Sequence, residues 1–164
     1  KWKSIGMDLI LVGIEAVSDE KLKARNKSNS AKNNDEAIRI LHKNKVEAVA
    51  SFLVDPDFTE ADFRALSDYV RKMELKQPIF TILTPLPGTD LYARKQAEIT
   101  TDNYELFDCV HLILPSKLPE KEFYAQFVNL YRQAYLSGTV ESSAFPKKMM
   151  ENMCRVFEEE YAAN

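Results

Sequence analysis

The clearest hydrophobic pattern in this chain is a run of six residues, 9–14, that carries no polar side chain and stops at the carboxylate of Glu15. A strand that is wetted on one face alternates polar and apolar residues, and this run does not alternate. The pattern therefore predicts a strand that is covered on both faces, as in the parallel sheet of an α/β domain.

Further apolar runs predict strands at residues 46–54 and 78–84, and a short fourth strand is expected at 109–114. The strands begin roughly 30 to 37 residues apart, which is the length of a strand–helix repeat. A closed eight-unit barrel needs about 250 residues, so the chain supplies only three or four such units. We therefore expect an α/β fold, either a partial TIM-type (βα) barrel with three or four parallel strands followed by C-terminal helices, or a small open α/β domain.

Apolar residues at helical spacing predict helices between the strands and along the last third of the chain. Capping boxes are expected at Asn33–Glu36 and Thr59–Asp62, and later helices begin at Pro119 and near Pro146. We expect residues 1–115 to form the barrel part, and residues 116–164 to form a helical extension packed on the same domain.

The composition excludes several classes of function. With 164 residues, 45% of them hydrophobic, the chain is long enough for one globular domain with a core. A net charge of −3 without a basic run argues against a nucleic-acid surface. No apolar run approaches the roughly 18 residues of a membrane span, so we expect a soluble, cytoplasmic protein. The two cysteines, Cys109 and Cys154, have no spacing typical of a metal site, and none is expected.

Few residues in the chain offer an obvious chemistry. The four glycines form no phosphate-binding pattern, and no nucleophile elbow occurs. His42 is expected on a helix surface, and His111, among apolar neighbours, is expected to be a core histidine whose hydrogen bonds are satisfied. What remains is a set of polar groups at predicted strand ends, namely Glu15, Asp55 and the Thr84–Pro85 corner. In a parallel sheet these ends share one rim, where they are able to line one pocket.

Three segments carry a resemblance to a known family: LVGIEA at 11–16, FLVDPDF at 52–58 and LTPLPGTDLY at 83–92. In order, spacing and strand context they resemble the second half of the radical SAM domain of cobalamin-binding radical SAM enzymes. The PLPGT turn is the most specific segment. The VDPDF corner is similar to the branch that contains hopanoid C-3 methylases.

The resemblance implies a partial (βα)6 barrel that binds S-adenosylmethionine against a [4Fe-4S] cluster and cleaves it reductively to a 5′-deoxyadenosyl radical. It implies that Glu15 contacts the bound S-adenosylmethionine. Lys27 stands where relatives often have a basic residue, and it either meets the methionyl carboxylate or pairs with Glu15. Both roles are chemically reasonable, because a carboxylate accepts bonds from ribose hydroxyls or an ammonium group.

The resemblance also implies an adenine subsite at the next two strand ends. It assigns the lining of the adenine to the backbone of Leu53 and Val54, and its far side to the Thr84–Pro85 corner. Asp55 replaces the glycine that many relatives have at that corner.

The chain departs from the family in one important respect, because the Cys-x-x-x-Cys-x-x-Cys loop is absent. The first three strands and the cobalamin-binding domain of the family are absent too. We therefore expect an S-adenosylmethionine-binding half of a radical SAM oxidoreductase or methylase that is inactive alone. The [4Fe-4S] cluster and cobalamin would belong to the full-length parent. Expected partners are the missing N-terminal half and a second copy bound through the open sheet edge.

Two other interpretations stay open from the residues alone. The first is a stand-alone α/β binding or regulatory module in which Glu15 and the proline-rich turn are only structural. The second is a fragment of an aldolase-like barrel. That class needs a lysine inside a strand, and the three strand cores contain none, so it ranks last.

Overall fold

A parallel three-stranded sheet is the centre of the fold. The computed structural model describes residues 3–24, 30–136 and 146–162. Its strands are β1 (Leu9–Glu15), β2 (Glu47–Val54) and β3 (Gln77–Ile82), and they lie in the order β1-β2-β3. Both pairs of neighbours are parallel. The predicted α/β class is confirmed, with three strands in an open sheet.

Helices follow each strand, and two longer helices end the described chain. Short 3-10 turns lie at Lys3–Ile5, Gln96–Glu98 and Tyr104–Leu106, and π-helical turns extend the last two helices at Arg132–Leu136 and Glu158–Ala162. The α-helices of the described residues are α1 (Asp19–Ala24), α2 (Ala31–Lys43), α3 (Glu60–Lys72), α4 (Asp90–Lys95), α5 (Glu120–Tyr131) and α6 (Lys147–Phe157).

One of the two predicted capping boxes is confirmed. At the start of α3, Asp62 accepts the Thr59 backbone N–H at 2.9 Å, and the Thr59 hydroxyl accepts the Asp62 N–H at 3.3 Å. The box predicted at Asn33 is wrong, because Ser30 caps α2 instead. The Ser30 hydroxyl accepts the Asn33 N–H at 3.2 Å, so Asn33 already lies inside the first helical turn.

Helices cover one face of the sheet well. The core face of the strands packs with α2, α3 and α5 into one hydrophobic cluster, and α6 adds Met150 and Cys154 to it. Six aromatic rings that are almost fully buried fill this cluster: Phe52, Phe63, Phe80, Phe123, Tyr124 and Phe127. The boundary expected at residue 115 stays a prediction.

The opposite face of the sheet is incompletely covered, which corrects the expectation for the first strand. Leu11 is 68% exposed, and Leu9 and Gly13 on the same side of β1 are exposed as well. Ser51 and Leu53 continue this side across β2 and are only half-buried. We call this side, with Leu9, Leu11, Gly13, Ser51 and Leu53, the open face. Among the described residues, helices therefore cover β1 on one side only.

The fourth strand expected at 109–114 is not formed. Asp108 accepts the backbone N–H groups of Val110 at 2.9 Å and His111 at 3.1 Å, and Cys109 has a positive φ of 66°. These bonds fold the segment into a tight turn, because an aspartate side chain competes with a strand for backbone donors. The Cys109 carbonyl still accepts the Ile82 N–H at 2.6 Å, so the turn lies against β3.

Side chains rather than a strand satisfy the outer edge of β3. The Tyr131 hydroxyl donates to the Phe80 carbonyl at 2.6 Å and accepts the Phe80 N–H at 3.1 Å. The Tyr135 hydroxyl donates to the carbonyl of Pro78 at 2.6 Å, and Pro78 has no N–H. Burial raises the pKa of Tyr131 to about 12, so its hydroxyl keeps its proton. The sheet therefore ends at β3.

Candidate functional site

The polar residues expected at the strand ends lie at one edge of the sheet. Glu15 ends β1, Asp55 follows β2 and Thr84 follows β3 by two residues. Because the three strands are parallel, these residues share the carboxyl rim. The rim is the part of the fold where groups from different strands are able to act on one ligand.

Glu15 occupies an unusual backbone conformation at this rim. Its φ is 67°, and the Ala16 N–H donates to the Ile14 carbonyl across it at 2.8 Å, which closes a γ-turn. A γ-turn with positive φ is rare and strained, particularly at a residue other than glycine. The strand pairing shifts register between Gly13 and Glu15. Such an outlier, at the end of a strand, is typical of functional positions.

The side chain of Glu15 turns back over Gly13. A Cβ atom placed on Gly13 would lie 2.8 Å from Oε1 of Glu15, closer than real Cβ contacts occur. Since Gly13 faces the same side as Leu9 and Leu11, the Glu15 carboxylate lies on the open face of the sheet. The carboxylate thereby lies beside an incompletely covered apolar surface.

Leu53 and Val54 face opposite sides of β2. The Val54 side chain is fully buried in the core, and its carbonyl accepts the Leu83 N–H at 2.9 Å. Leu53 is half-buried and faces the open side, next to the strand that carries Glu15. Of this pair, Leu53 is the one whose side chain lies on the side of the Glu15 carboxylate.

The Thr84–Pro85 corner is rigid and buried. The Thr84 hydroxyl donates to the Ile82 carbonyl at 3.0 Å within its own turn, and Pro85 is buried beside it. The turn ends at Gly88, whose φ of 85° needs a glycine, and the Thr89 side chain then caps α4. The corner therefore offers a fixed wall two strands away from Glu15.

Asp55 belongs to a cluster of charges around Lys21. The Lys21 ammonium lies 3.8 Å from carboxylate oxygens of Asp55 and Asp57, and 3.3 Å from Asp62. It also lies 4.1 Å from the centre of the Phe58 ring, within reach of a cation–π contact. The cluster ties α1, which follows Glu15, to the loop between β2 and α3. Lys27, expected near Glu15, lies outside the described residues.

At Asp62, hydrogen bonds and the charge of Lys21 lower the pKa by more than burial raises it. Burial by itself raises the pKa of Asp62, but hydrogen bonds from Thr59 and the charge of Lys21 lower it, and the net pKa is below its usual value. A carboxyl group with a depressed pKa stabilises the fold above its unfolded pKa, and this contribution is lost as the pH falls through the folded pKa. Asp62 is therefore ionised at neutral pH, which its ion pair with Lys21 requires.

A small cavity joins the strand ends to the charged cluster. It has a volume of about 100 Å³ and is lined by Glu15, Lys21, Leu53, Phe58 and Asp62 among others. Pockets for small molecules usually have about 300 Å³ or more, so a nucleoside does not fit inside it. A ligand of that size at this rim has to lie on the open face.

Two residues that stabilise this rim, Lys21 and Asn34, were not identified from the sequence. Asn34 is 3% exposed, and its Nδ2 donates to the Ile14 carbonyl at 3.2 Å. The signal for Asn34 was present, because it lies on the same helical stripe as Ile38 and Leu41 and is the polar member of that stripe. Buried polar groups need partners, so a polar residue in an apolar stripe points to a specific hydrogen bond.

The residues of this chain do not fit an iron–sulfur cluster. A [4Fe-4S] cluster is held by cysteine thiolates, and Cys154 is buried in the helical core while Cys109 lies in the turn beside β3. Within the described ranges no group of three histidine, cysteine or carboxylate side chains is arranged to hold a metal ion. His111 is half-buried and bonds Asp108 at 2.8 Å, beside the ring of Tyr161. In the same ranges, no helix combines the length and the apolar character that crossing a membrane requires.

Comparison with known proteins finds several methylating enzymes. The chain is 30% identical over 135 residues to the hopanoid C-3 methylase of Methylococcus capsulatus, covering 82% of the chain and 26% of that protein. It is 29% identical over 147 residues to the bacteriochlorophyllide d C-12(1)-methyltransferase of Chlorobaculum tepidum, covering 88% of the chain and 31% of that protein. It is 27% identical over 139 residues to the anaerobic magnesium-protoporphyrin IX monomethyl ester cyclase of Cereibacter sphaeroides, covering 82% of the chain and 22% of that protein.

The chain spans less than a third of the length of each of these three relatives. No family model matches it. The names agree with the resemblance read from the sequence, which pointed to the branch that contains hopanoid C-3 methylases.

Proposed function

We propose that this chain is the S-adenosylmethionine-binding half of a radical SAM domain, from an iron–sulfur oxidoreductase or a methylase, and that Glu15 contacts the ligand. The observation that carries the proposal is the Glu15 carboxylate, held in a strained turn at the carboxyl rim and turned over Gly13 onto the open face. The relatives, two of which are named for methyl transfer, support the same class of chemistry.

The ligand would lie across the strand ends on the open face. Carboxylate oxygens accept strong hydrogen bonds from ribose hydroxyls or from an ammonium group, and Glu15 is able to supply both. Leu53 would provide an apolar contact for the adenine, and the Thr84–Pro85 corner would close its far side. Lys27 and Asp55 complete the proposed site, with Asp55 held by Lys21.

The redox part of the reaction would belong to the rest of the parent protein. The donor set of this chain does not fit a [4Fe-4S] cluster, so we assign no electron transfer to its residues. Such a cluster would be held by the parent, where its chemistry would be one-electron reduction. Cobalamin, if the parent uses it as a methyl carrier, would likewise bind elsewhere in the parent. The chain alone is then a binding half without catalysis.

Replacing Glu15 by glutamine tests the proposed contact, because it removes the charge and keeps the shape. We expect the chain to bind S-adenosylmethionine in calorimetry, and Glu15→Gln to weaken binding by about tenfold or more. Glu36→Gln, the same change on an exposed position of α2, is the matched control and should change affinity less than about twofold. Unchanged affinity in Glu15→Gln, or no binding by the unaltered chain, would contradict the proposal. The second outcome would favour a stand-alone α/β module.

The outer edge of β1 supports a second part of the proposal, namely that this edge pairs with another strand. The Glu47 N–H donates to the Asp8 carbonyl at 2.8 Å, so alternate residues of β1 bond to β2. Leu9, Leu11 and Gly13 then direct their backbone groups away from β2. In the parent this strand would come from the N-terminal half of the domain, and in the isolated chain from a second copy.

Light scattering tests this pairing with two variants at one position. Leu11→Pro removes an outward N–H from an edge strand, where proline is tolerated, and Leu11→Ala removes the apolar side chain but keeps the N–H. We expect a dimeric mass for the unaltered chain and for Leu11→Ala, and a monomeric mass for Leu11→Pro. Loss of the dimer in both variants would assign association to the apolar face instead. A monomeric unaltered chain would overturn self-association.

A further inference from the structure

Asn34 is a buried polar residue that lies outside the proposed ligand contacts. It projects from the first turn of α2 and is 3% exposed. Its Nδ2 donates to the Ile14 carbonyl at 3.2 Å, although α2 and β1 are far apart along the chain. Burying an amide is costly unless it is hydrogen-bonded, so a residue that only filled space here would be apolar.

The carbonyl that Asn34 contacts is the same one that closes the turn at Glu15. The Ile14 oxygen accepts the Ala16 N–H at 2.8 Å and the Asn34 amide at 3.2 Å. Rotation of the Glu15 peptide out of the positive-φ conformation would break the first bond and displace the acceptor of the second. Asn34 therefore holds the γ-turn from the core side of the sheet.

Gly13 contributes to the same orientation from the open face. The Oε1 atom of Glu15 lies 2.8 Å from the position that a Cβ atom at residue 13 would occupy, closer than real Cβ contacts occur. The φ of Gly13 is not in the left-handed region, so its backbone does not require a glycine. Its missing side chain leaves room for the carboxylate.

We infer that Asn34 and Gly13 are positioning residues for Glu15: Asn34 locks the turn, and Gly13 gives the carboxylate its space on the open face. The part of this inference that concerns ligand binding rests on the proposed function. Its geometric part concerns Glu15 itself and is independent of any ligand. The two parts need separate measurements.

The geometric part is tested by nuclear magnetic resonance of the chain without ligand. The backbone and side-chain carbon shifts of Glu15 report its φ and its carboxylate environment. We expect Asn34→Leu to move the backbone shifts towards ordinary strand values, and Gly13→Ala to move the carboxylate shift. Asn33→Leu, on the exposed neighbour in the same helical turn, is the control and should leave both unchanged. Unchanged Glu15 signals in folded Asn34→Leu and Gly13→Ala would overturn the inference.

Affinity for S-adenosylmethionine then tests the functional part. We expect calorimetry to give about tenfold weaker binding for Asn34→Leu and Gly13→Ala, and an unchanged affinity for Asn33→Leu. If Asn34→Leu fails to fold, Gly13→Ala alone tests the positioning role. We expect this variant to fold, because the atom displaced there is the end of a flexible side chain. Moved Glu15 signals with full affinity would overturn the positioning role. If the unaltered chain binds no ligand while the Glu15 signals still move, the proposed function fails and the geometric inference stands.

Discussion

Phe63→Ala is expected to lower the free energy of unfolding by about 3–5 kcal/mol. The side chain is 2% exposed on the inner side of α3. Its ring lies 5.3 Å from the centres of both the Phe58 and the Phe123 rings, in edge-to-face geometry. Truncation leaves a cavity between α3, α5 and the loop that carries the charged cluster. Domains of this size have only about 5–15 kcal/mol of total stability, so the loss is large.

Urea denaturation followed by circular dichroism measures this loss. Tyr104→Ala is the control, because it also truncates an aromatic side chain but at a position that is 65% exposed. We expect the control to change the free energy of unfolding by less than about 1 kcal/mol. Equal losses in the two variants would mean that the aromatic cluster does not form the core.

Tyr131→Phe is expected to lower the free energy of unfolding by about 2–4 kcal/mol. The change removes one hydroxyl and leaves both the N–H and the carbonyl of Phe80 without their partner at a buried edge. The ring itself stays and keeps its edge-to-face contact with Phe80 at 5.0 Å. The loss should therefore come from hydrogen bonding and not from packing.

Amide hydrogen exchange makes this prediction specific to one atom. The Phe80 amide should exchange much faster in Tyr131→Phe, while amides of β2 keep their order of protection. Tyr104→Phe, an exposed change of the same chemistry, should leave stability and exchange unaltered. Slow exchange of the Phe80 amide in the variant would show that another group satisfies this edge.

The apolar runs of the sequence predicted the strands within two residues at each end. A parallel strand that packs on helices needs such a run. For α3, apolar residues at helical spacing and the Thr59–Asp62 capping box were enough to predict the helix. These features depend on local pattern, which a single sequence carries. The Asn33 capping box failed locally, because Ser30 caps α2 instead. The other predictions that failed depended at least partly on distant contacts.

The false fourth strand is the clearest of these failures. Residues 109–114 are apolar enough for a strand, but Asp108 folds their start into a turn. The edge they would join is already bonded to Tyr131 of α5 and to Tyr135 of the π-helical turn that follows it. The cover expected on both faces of β1 failed for a similar reason, since the number of layers on a sheet is a tertiary property. Neither the occupied edge of β3 nor the missing second layer on β1 is visible in a local window of sequence.

For the candidate site, the sequence indicated the residues at the strand ends but not the residues that hold them in place. Glu15 was identified because a carboxylate ends an apolar run, whereas Asn34 bonds a carbonyl 20 residues away along the chain and was missed. Lys21 was missed because its role depends on three carboxylates elsewhere in the chain, two in the loop after β2 and one in the first turn of α3. Residues that orient other residues leave weak local signals.

The closed edge of β3 also limits how the molecule can assemble. A sheet with one free edge is able to pair with only one other sheet. When the β1 edges of two copies pair, both free edges are used, and no edge is left for a third copy. Association through β1 would therefore stop at a pair and would not grow into filaments. The hydroxyls of Tyr131 and Tyr135 prevent growth at the β3 edge because they occupy its backbone groups. A variant that lost them would have two free edges and would tend to form linear assemblies.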